Sequence, residues 1–531
     1  MDWVILTLAA PFRLFLSYRS SVITAGYLLG PVVGVASLIV LTAAARVVLR
    51  DRAARWVPFV AAAQYWVLYS FAPVRPDHHG VQVLLFLVAL LGVLRICVGR
   101  SVSPAAWVTG LGLGLAVWVS VEGLISTAPL LVALVVLWIV RGGPELTGAI
   151  ARLWLVGTAT LAAGMLVDGP HPHRWAVEFD RFSVVYLTAF ALSAAFWVVL
   201  VWKTPDSRVR RAGAAVACAL AGGVALILLF PGVQRGPMAN MDPRLVPLWV
   251  RYISEFVPAM RLGTSTWGVL SVGSGLLGLV VAGYLVVASG RRGWDGILRL
   301  GGADRAVWAL LTGALLWFLV LGEIEQVRWV YYLQILAPVG VAALLSRALG
   351  YAREMQAAPI VRAAAGVAVV IVLFLWPLAF LAVPAPPDPV EQTKIACRPG
   401  PLVGPLSGLR GPGGRPARVL APVFWGPELL FRSGVDIVAG PYHRNASGML
   451  YSYGVMAATD PKDAMASLRE RGIDFIVICR EQDWIPRVPA DSTGTFYHAL
   501  VEGTLPAGLL TVPMPGVPPR YRLYRVSAPP A

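Results

Sequence analysis

Six consecutive residues, Arg75-Pro-Asp-His-His-Gly80, put a guanidinium, a carboxylate and two imidazoles between two apolar runs, Trp56–Ala72 and Val81–Cys97. Asp77, His78 and His79 form a donor set for a divalent cation: the carboxylate suits Mg²⁺ or Mn²⁺, the imidazoles Mn²⁺ or Zn²⁺. A triplet of this kind also reads as a solvated loop in which Asp77 caps the following helix. Near lipid, however, ionisable residues are expensive to hold without a partner and so point to function. Glu122, in Val-Ser-Val-Glu-Gly-Leu, has apolar neighbours on both sides and must pair, protonate or face water. Arg328 follows Glu323 and Glu325 just before Trp329. An arginine fork suits bidentate phosphate recognition, and a local Glu–Arg pair is the plainer reading. The stretch Pro231–Gly263 carries Arg235, Asp242, Arg244, Arg251 and Glu255 and reads as a substrate loop or a solvated linker. Tyr442, His443 and Arg444, in Gly-Pro-Tyr-His-Arg-Asn, directly follow an expected strand, where α/β sheets hold ligands; a plain turn is the alternative. The chain has no Walker A loop, no GxGxxG after a strand, no HExxH and no GxSxG, so ATPase, dehydrogenase, zincin and serine-hydrolase chemistry lack support.

The elements that must position these residues are mostly membrane helices. Of 531 residues, 57% are hydrophobic and only 14% charged, against about 25% charged in soluble domains. Mean hydropathy is +0.71. Windowed hydrophobicity predicts about twelve spans: 26–46, 56–72, 81–97, 104–120, 123–140, 152–167, 183–202, 212–230, 266–289, 306–321, 329–346 and 363–382. Residues 2–18, broken by Pro11 and Arg13, suit an interfacial helix. The net charge of +16 comes largely from short basic clusters between apolar runs, such as Arg46/Arg50/Arg52/Arg55 and Lys203/Arg208/Arg210/Arg211. This is the positive-inside pattern, and it accounts for the charge without a nucleic-acid partner. The opposite loops hold Arg75–Gly80, the Glu122 turn, 169–181 with His171, His173, Glu178 and Asp180, then 231–263 and 322–328. Every polar motif therefore falls on the extracytoplasmic side. The same parity puts both ends of the chain outside, which leads us to expect that a first crossing helix is missing before Met1.

Residues 1–383 are expected to form the transmembrane domain, 384–414 a Pro/Gly-rich linker and 415–531 an extracytoplasmic α/β domain. In the last, Ala417–Pro422, Asp436–Gly440, Asp474–Cys479 and Arg520–Val526 read as strands, and Gly426–Ser433 and Pro461–Arg471 as helices. Four cysteines are too few for a disulfide scaffold. Cys97 and Cys218 lie in apolar runs, whereas Cys397 and Cys479 can pair if their region faces an oxidising compartment.

The Asp77-His78-His79 loop, the span count and the outer C-terminal domain together resemble the GT-C class of polyprenyl-phosphate-dependent glycosyltransferases, and within it the catalytic subunit of oligosaccharyltransferases. Archaeal members carry Asp-His-His followed by a Glu in the matching second outer loop; here Gly80-Val-Gln82 replaces the trailing acid. The resemblance implies a GT-C-like helical bundle in the inner membrane, with a periplasmic C-terminal domain. It also implies a divalent cation (Mg²⁺ or Mn²⁺) at Asp77 with His78 or His79, and a lipid-linked sugar donor. It matches Glu255, in Tyr-Ile-Ser-Glu-Phe-Val-Pro, to an acid of the fifth outer loop that serves the metal or acceptor, and Arg328 to an arginine that contacts donor phosphate. Arg75, Glu122, Tyr442, His443 and Arg444 are further substrate-binding candidates. The chain lacks the Trp-Trp-Asp motif that reads the acceptor sequon, and the family's first-loop Asp would lie before Met1. A second likeness, to a group of bacterial multi-pass membrane proteins, runs through the Met-Asp-Trp start, the Asp-His-His loop, Met241-Asp-Pro-Arg244 and the Gly-Pro-Tyr-His-Arg-Asn turn. A lipid or polysaccharide transporter and a non-catalytic scaffold of the same descent are the alternatives. The transporter predicts polar residues spread along the helices, not gathered at one face.

Overall fold

In the computed structural model the described residues are 2–73, 75–168, 175–262, 266–289, 294, 296–299, 304–354, 358–370, 397–482, 484 and 493–527. His171, His173, the end of the expected span 363–382 and the Pro384–Asp388 hinge lie outside them. The chain divides into two compact units: Met1–Asn240 with Val257–Pro384, and Met241–Phe256 with Ala385–Ala531.

The first unit is helical and membrane-spanning. Among the described residues, nine helices are long and apolar enough to cross a bilayer. The chain opens with α1 (Asp2–Ala9) and a short 3₁₀ turn, Ala10–Leu14, neither long enough to cross. Next come α2 (Tyr18–Val48) and three short helices, α3 (Asp51–Ala54), α4 (Val57–Ala62) and α5 (Tyr65–Ser70). Long helices follow: α6 (His78–Cys97), α7 (Val102–Val119), α8 (Glu122–Arg141), α9 (Pro144–Val167), α10 (Val184–Trp202) and α11 (Arg208–Leu229). After the four-residue α12 (Leu245–Leu248) in the second unit, the bundle resumes with α13 (Thr266–Ala288), α14 (Asp304–Ile324), α15 (Val330–Glu354) and α16 (Pro359–Val370).

The run 56–72, read from sequence as one span, is not a continuous helix. Gln64 adopts an extended conformation (φ −86°, ψ 131°) between α4 and α5. Broken backbone at membrane depth is tolerated only where protein satisfies its polar groups. Here the Gln64 amide donates to the Val60 carbonyl (2.9 Å), and the Trp66 backbone N–H donates to the buried Gln334 side chain of α15 (2.9 Å). Hydropathy averages over the break because one Gln in an apolar window barely lowers the mean.

The returning chain is seated by close approach to α2. A Cβ added at Gly30 would stand 2.6 Å from the Ala72 carbonyl oxygen, and one at Gly34 would stand 2.9 Å from the Phe71 side chain. Two glycines one helical turn apart thus open a slot for Phe71, seven residues before α6 starts at the candidate loop.

The second unit is an α/β domain built on a five-stranded sheet in the order β2-β1-β3-β5-β4. Its strands are β1 (Arg418–Leu420), β2 (Asp436–Ile437), β3 (Phe475–Cys479), β4 (Leu509–Val512) and β5 (Tyr521–Val526). β2, β1 and β3 run parallel, and β5 is antiparallel to both of its neighbours, β3 and β4. The central β3 is buried throughout and alternates between two cores. Ile476 and Ile478 face one shared with Leu420, Met449 and Tyr524; Phe475, Val477 and Cys479 face one shared with Val419, Leu402 and Leu523. The stretch 231–263, read from its charges as a substrate loop or linker, in part folds into this unit: Leu245 and Trp249 are buried in the first core. Its Asp242–Arg244 charges pair with each other (2.7 Å).

Cys397 and Cys479 form a disulfide (Cα–Cα 6.2 Å) across 82 positions, tying an early buried segment of the unit to its central strand. Replacing Cys397 with Ser is expected to destabilise this unit by about 2–4 kcal/mol. Limited proteolysis across a urea series reads the loss; an unchanged midpoint would show that the bridge constrains nothing.

Candidate functional site

Asp77 is the N-cap of α6, its Oδ1 accepting the His79 backbone N–H at 3.2 Å. That cap turns the two imidazoles back over the carboxylate. His78 Nδ1 lies 3.0 Å from Asp77 Oδ1, and His79 Nε2 lies 3.9 Å from Oδ2. Arg75 donates to Oδ2 through Nε (3.3 Å) and Nη2 (3.1 Å), with its guanidinium 4.0 Å over the Tyr69 ring. Burial pushes the Asp77 carboxyl up, but the hydrogen bond with His78 and the charges of His79, His78 and Arg75 outweigh it and hold the group well below the usual carboxylate range. His79 is buried, and its ring meets Tyr331 of α15 edge-on at 5.9 Å between centroids.

One ligand atom from each of Asp77, His78 and His79 lies within 4.8 Å of the others. One oxygen and two imidazole nitrogens fit a transition-metal dication better than Mg²⁺, which prefers an all-oxygen shell. The residues present therefore fit a divalent cation.

Beside this cluster stands an ion pair between Arg328, in a 3₁₀ turn (Val327–Trp329) ahead of α15, and Glu122, the first residue of α8. Arg328 Nη2 is 2.8 Å from Glu122 Oε1, the side chains being 12% and 21% exposed. Arg328 Nε also donates to Gln326 at 2.6 Å. Both members of the pair lie within electrostatic reach of His78. The local pair with Glu323 or Glu325, the plainer reading of the sequence, is thus replaced by one that joins the turn ahead of α15 to the start of α8. The fold brings six residues into one neighbourhood: Arg75, Asp77, His78, His79, Glu122 and Arg328. Glu255, Tyr442, His443 and Arg444 belong to the other unit; Glu255 lies in a 3₁₀ turn, Ser254–Phe256, and Tyr442 is 64% exposed ahead of another, His443–Asn445.

Sequence reasoning missed the residues that brace this neighbourhood. Gln82 stands one turn below His78 on α6, fully buried, and its Nε2 donates to the Ala116 (2.7 Å) and Ser120 (3.2 Å) carbonyls at the α7–α8 junction. Its signal was available: a lone amide in an apolar run, four positions after His78, shares that residue's helix face.

The fold is a GT-C-like polytopic membrane helical bundle with a small C-terminal α/β domain. Among solved structures it is similar to the archaeal oligosaccharyltransferase AglB from Archaeoglobus fulgidus. Against the complex with an inhibitory peptide and a dolichol-phosphate, the TM-score is 0.61 at 13% identity, covering 90% of this chain and 61% of that one. Against the form tethered to an acceptor peptide containing the NVT sequon, it is 0.61 at 15% identity, covering 87% and 58%. Against the complex with Zn and sulfate, it is 0.60 at 14% identity, covering 90% and 59%. The chain thus spans about three fifths of the length of these proteins. No family model matches the sequence, and no curated protein matches it.

Proposed function

We propose that this protein is an inner-membrane glycosyltransferase that transfers sugar from a polyprenyl-phosphate-linked donor to an acceptor on the extracytoplasmic face. The observation that carries the reading is the convergence of a cation-binding cluster, Asp77-His78-His79, with a partly buried arginine, Arg328, at the ends of three membrane helices. A lipid-linked sugar phosphate presents there an anionic leaving group, and cleavage places more charge on its phosphate oxygens. Asp77, His78 and His79 hold a divalent cation, Mn²⁺ in preference to Mg²⁺. Bound there, the cation supplies Lewis-acid stabilisation of the departing phosphate. Arg328 donates to phosphate oxygens through its fork, in a site where low dielectric strengthens each contact. Arg75 orients the Asp77 carboxylate from its stacked position on Tyr69, and Gln82 fixes α6 against the α7–α8 junction. Glu255 is proposed to serve the acceptor, and Tyr442, His443 and Arg444 to bind substrate, all within the second unit. The C-terminal domain lies on the periplasmic, extracytoplasmic side, a placement supported by its disulfide and by a core that includes Leu245 and Trp249 from a loop on the face opposite the basic clusters. The fold shared with AglB, solved with a dolichol-phosphate and with acceptor peptides, supports the donor class.

The test is transfer from a radiolabelled polyprenyl-diphosphate sugar by protein purified in detergent, with Mn²⁺ and after chelation. Turnover with Mn²⁺ that chelation removes supports the reading; turnover indifferent to chelation removes the metal role, and no consumption of any lipid-linked sugar overturns it.

A further inference from the structure

We propose that Glu122 is the resting counterion of Arg328, a built-in carboxylate that holds the guanidinium at the site and is exchanged for a phosphate oxygen when an anionic donor binds. The inference rests on the proposed lipid-phosphate donor and adds how the protein keeps its phosphate-binding arginine ready.

Three features support an exchange over a fixed structural pair. First, the pair stands beside the cation cluster and not deep in the bundle: its members are 12% and 21% exposed, Tyr331, three residues after Arg328, meets the His79 ring, and Gln82, one turn after His78, bonds the Ser120 carbonyl two residues before Glu122. Carboxylate and phosphate compete for the same donor fork.

Second, the carboxylate is fixed. Val121 is buried, and Gly123 fits so closely that an added Cβ would stand 2.6 Å from the Ala116 carbonyl carbon. The Gln82 amide ties the Ala116 and Ser120 carbonyls of this junction to α6, below His78. Farther along α8, the Trp317 indole of α14 donates to the Ile125 carbonyl at 3.1 Å. Glu122 therefore sits on a turn that cannot follow its partner. Third, Arg328 has a long side chain on a three-residue turn and a second hold, Nε to Gln326, that keeps the guanidinium in place while Nη2 changes partner. Removing the carboxylate removes the group that competes for Nη2, and an incoming anion takes that place more readily.

The experiment measures inorganic pyrophosphate binding to the full chain in detergent by isothermal titration calorimetry, with EDTA present so that the cation cluster does not contribute. Glu122→Gln is expected to bind pyrophosphate about tenfold more tightly than wild type, a change of about 1.4 kcal/mol in affinity, and Arg328→Gln is expected to lose binding. Glu122→Asp keeps the charge but draws it back by one methylene, and is expected to bind two- to threefold more tightly (an order-of-magnitude expectation from the weakened pair). If Glu122→Gln does not fold, this variant decides. Equal or weaker binding by the folded Glu122 variant, or no binding by wild type or variant, overturns the proposal, because a merely structural pair would lower stability without raising anion affinity. The sugar-transfer assay is read separately. Tighter pyrophosphate binding without sugar transfer leaves the counterion role standing and sinks the glycosyltransferase; transfer with unchanged affinity does the reverse.

Discussion

Asp77→Asn is expected to lower sugar transfer at least about a hundredfold while leaving the fold intact. Asn is nearly isosteric with Asp and among the best N-cap residues, so it keeps the 3.2 Å bond from the His79 backbone N–H and the entry angle of α6. What it loses is charge. The single oxygen donor of the cation cluster becomes a neutral amide, and Arg75 and His78 each lose their ionic partner. A structural role alone would lower thermal stability and leave turnover per folded molecule unchanged. Two readouts separate the cases: turnover of a polyprenyl-linked sugar, and the rise in melting temperature on adding Mn²⁺. The wild type is expected to show both and the variant neither. Equal turnover in the two proteins would remove Asp77 from the chemistry.

Gly30→Val is expected to cost about 3 kcal/mol of stability and to abolish transfer in whatever protein folds. The first added carbon would stand 2.6 Å from the Ala72 carbonyl oxygen and 2.8 Å from the Phe71 carbonyl oxygen. Both are backbone atoms, so no side-chain rotation relieves the clash; either α2 bends or the segment leading to Arg75 moves. A displacement of about 1 Å at a catalytic group costs on the order of a hundredfold in rate. The control is Gly222→Ala on α11, where nothing lies within 4 Å of the added carbon; there a helix gains propensity and the effect should be neutral or slightly stabilising. A Gly30→Val protein with wild-type melting temperature and turnover would show that the slot for Phe71 does not seat the loop.

Much of this architecture was legible from local pattern. The apolar runs 81–97, 104–120, 123–140 and 183–202 correspond closely to α6, α7, α8 and α10, because about twenty apolar residues suffice for a crossing helix. The fully apolar Phe475–Cys479 reads as a strand covered on both faces, and it is the central β3. The short β4 and the helices Ala446–Ala457 and Phe496–Glu502 escaped notice, since brief mixed segments carry little periodicity.

By itself, the sequence determined that this is a polytopic membrane protein with a small α/β domain, and that Asp77, His78 and His79 are neighbours. Hydropathy and charge asymmetry report the solvent each segment meets, and adjacent residues need no fold to bring them together. Only the tertiary structure decided that Arg328 pairs with Glu122 across 206 positions instead of with Glu323 or Glu325, that Gln334 completes the broken helix at Trp66, and that residues 241–256 join the C-terminal unit and add Leu245 and Trp249 to one of its cores. Those pairings depend on which helices lie side by side, and helix packing is set by side-chain shapes along whole faces, which no local window of sequence contains.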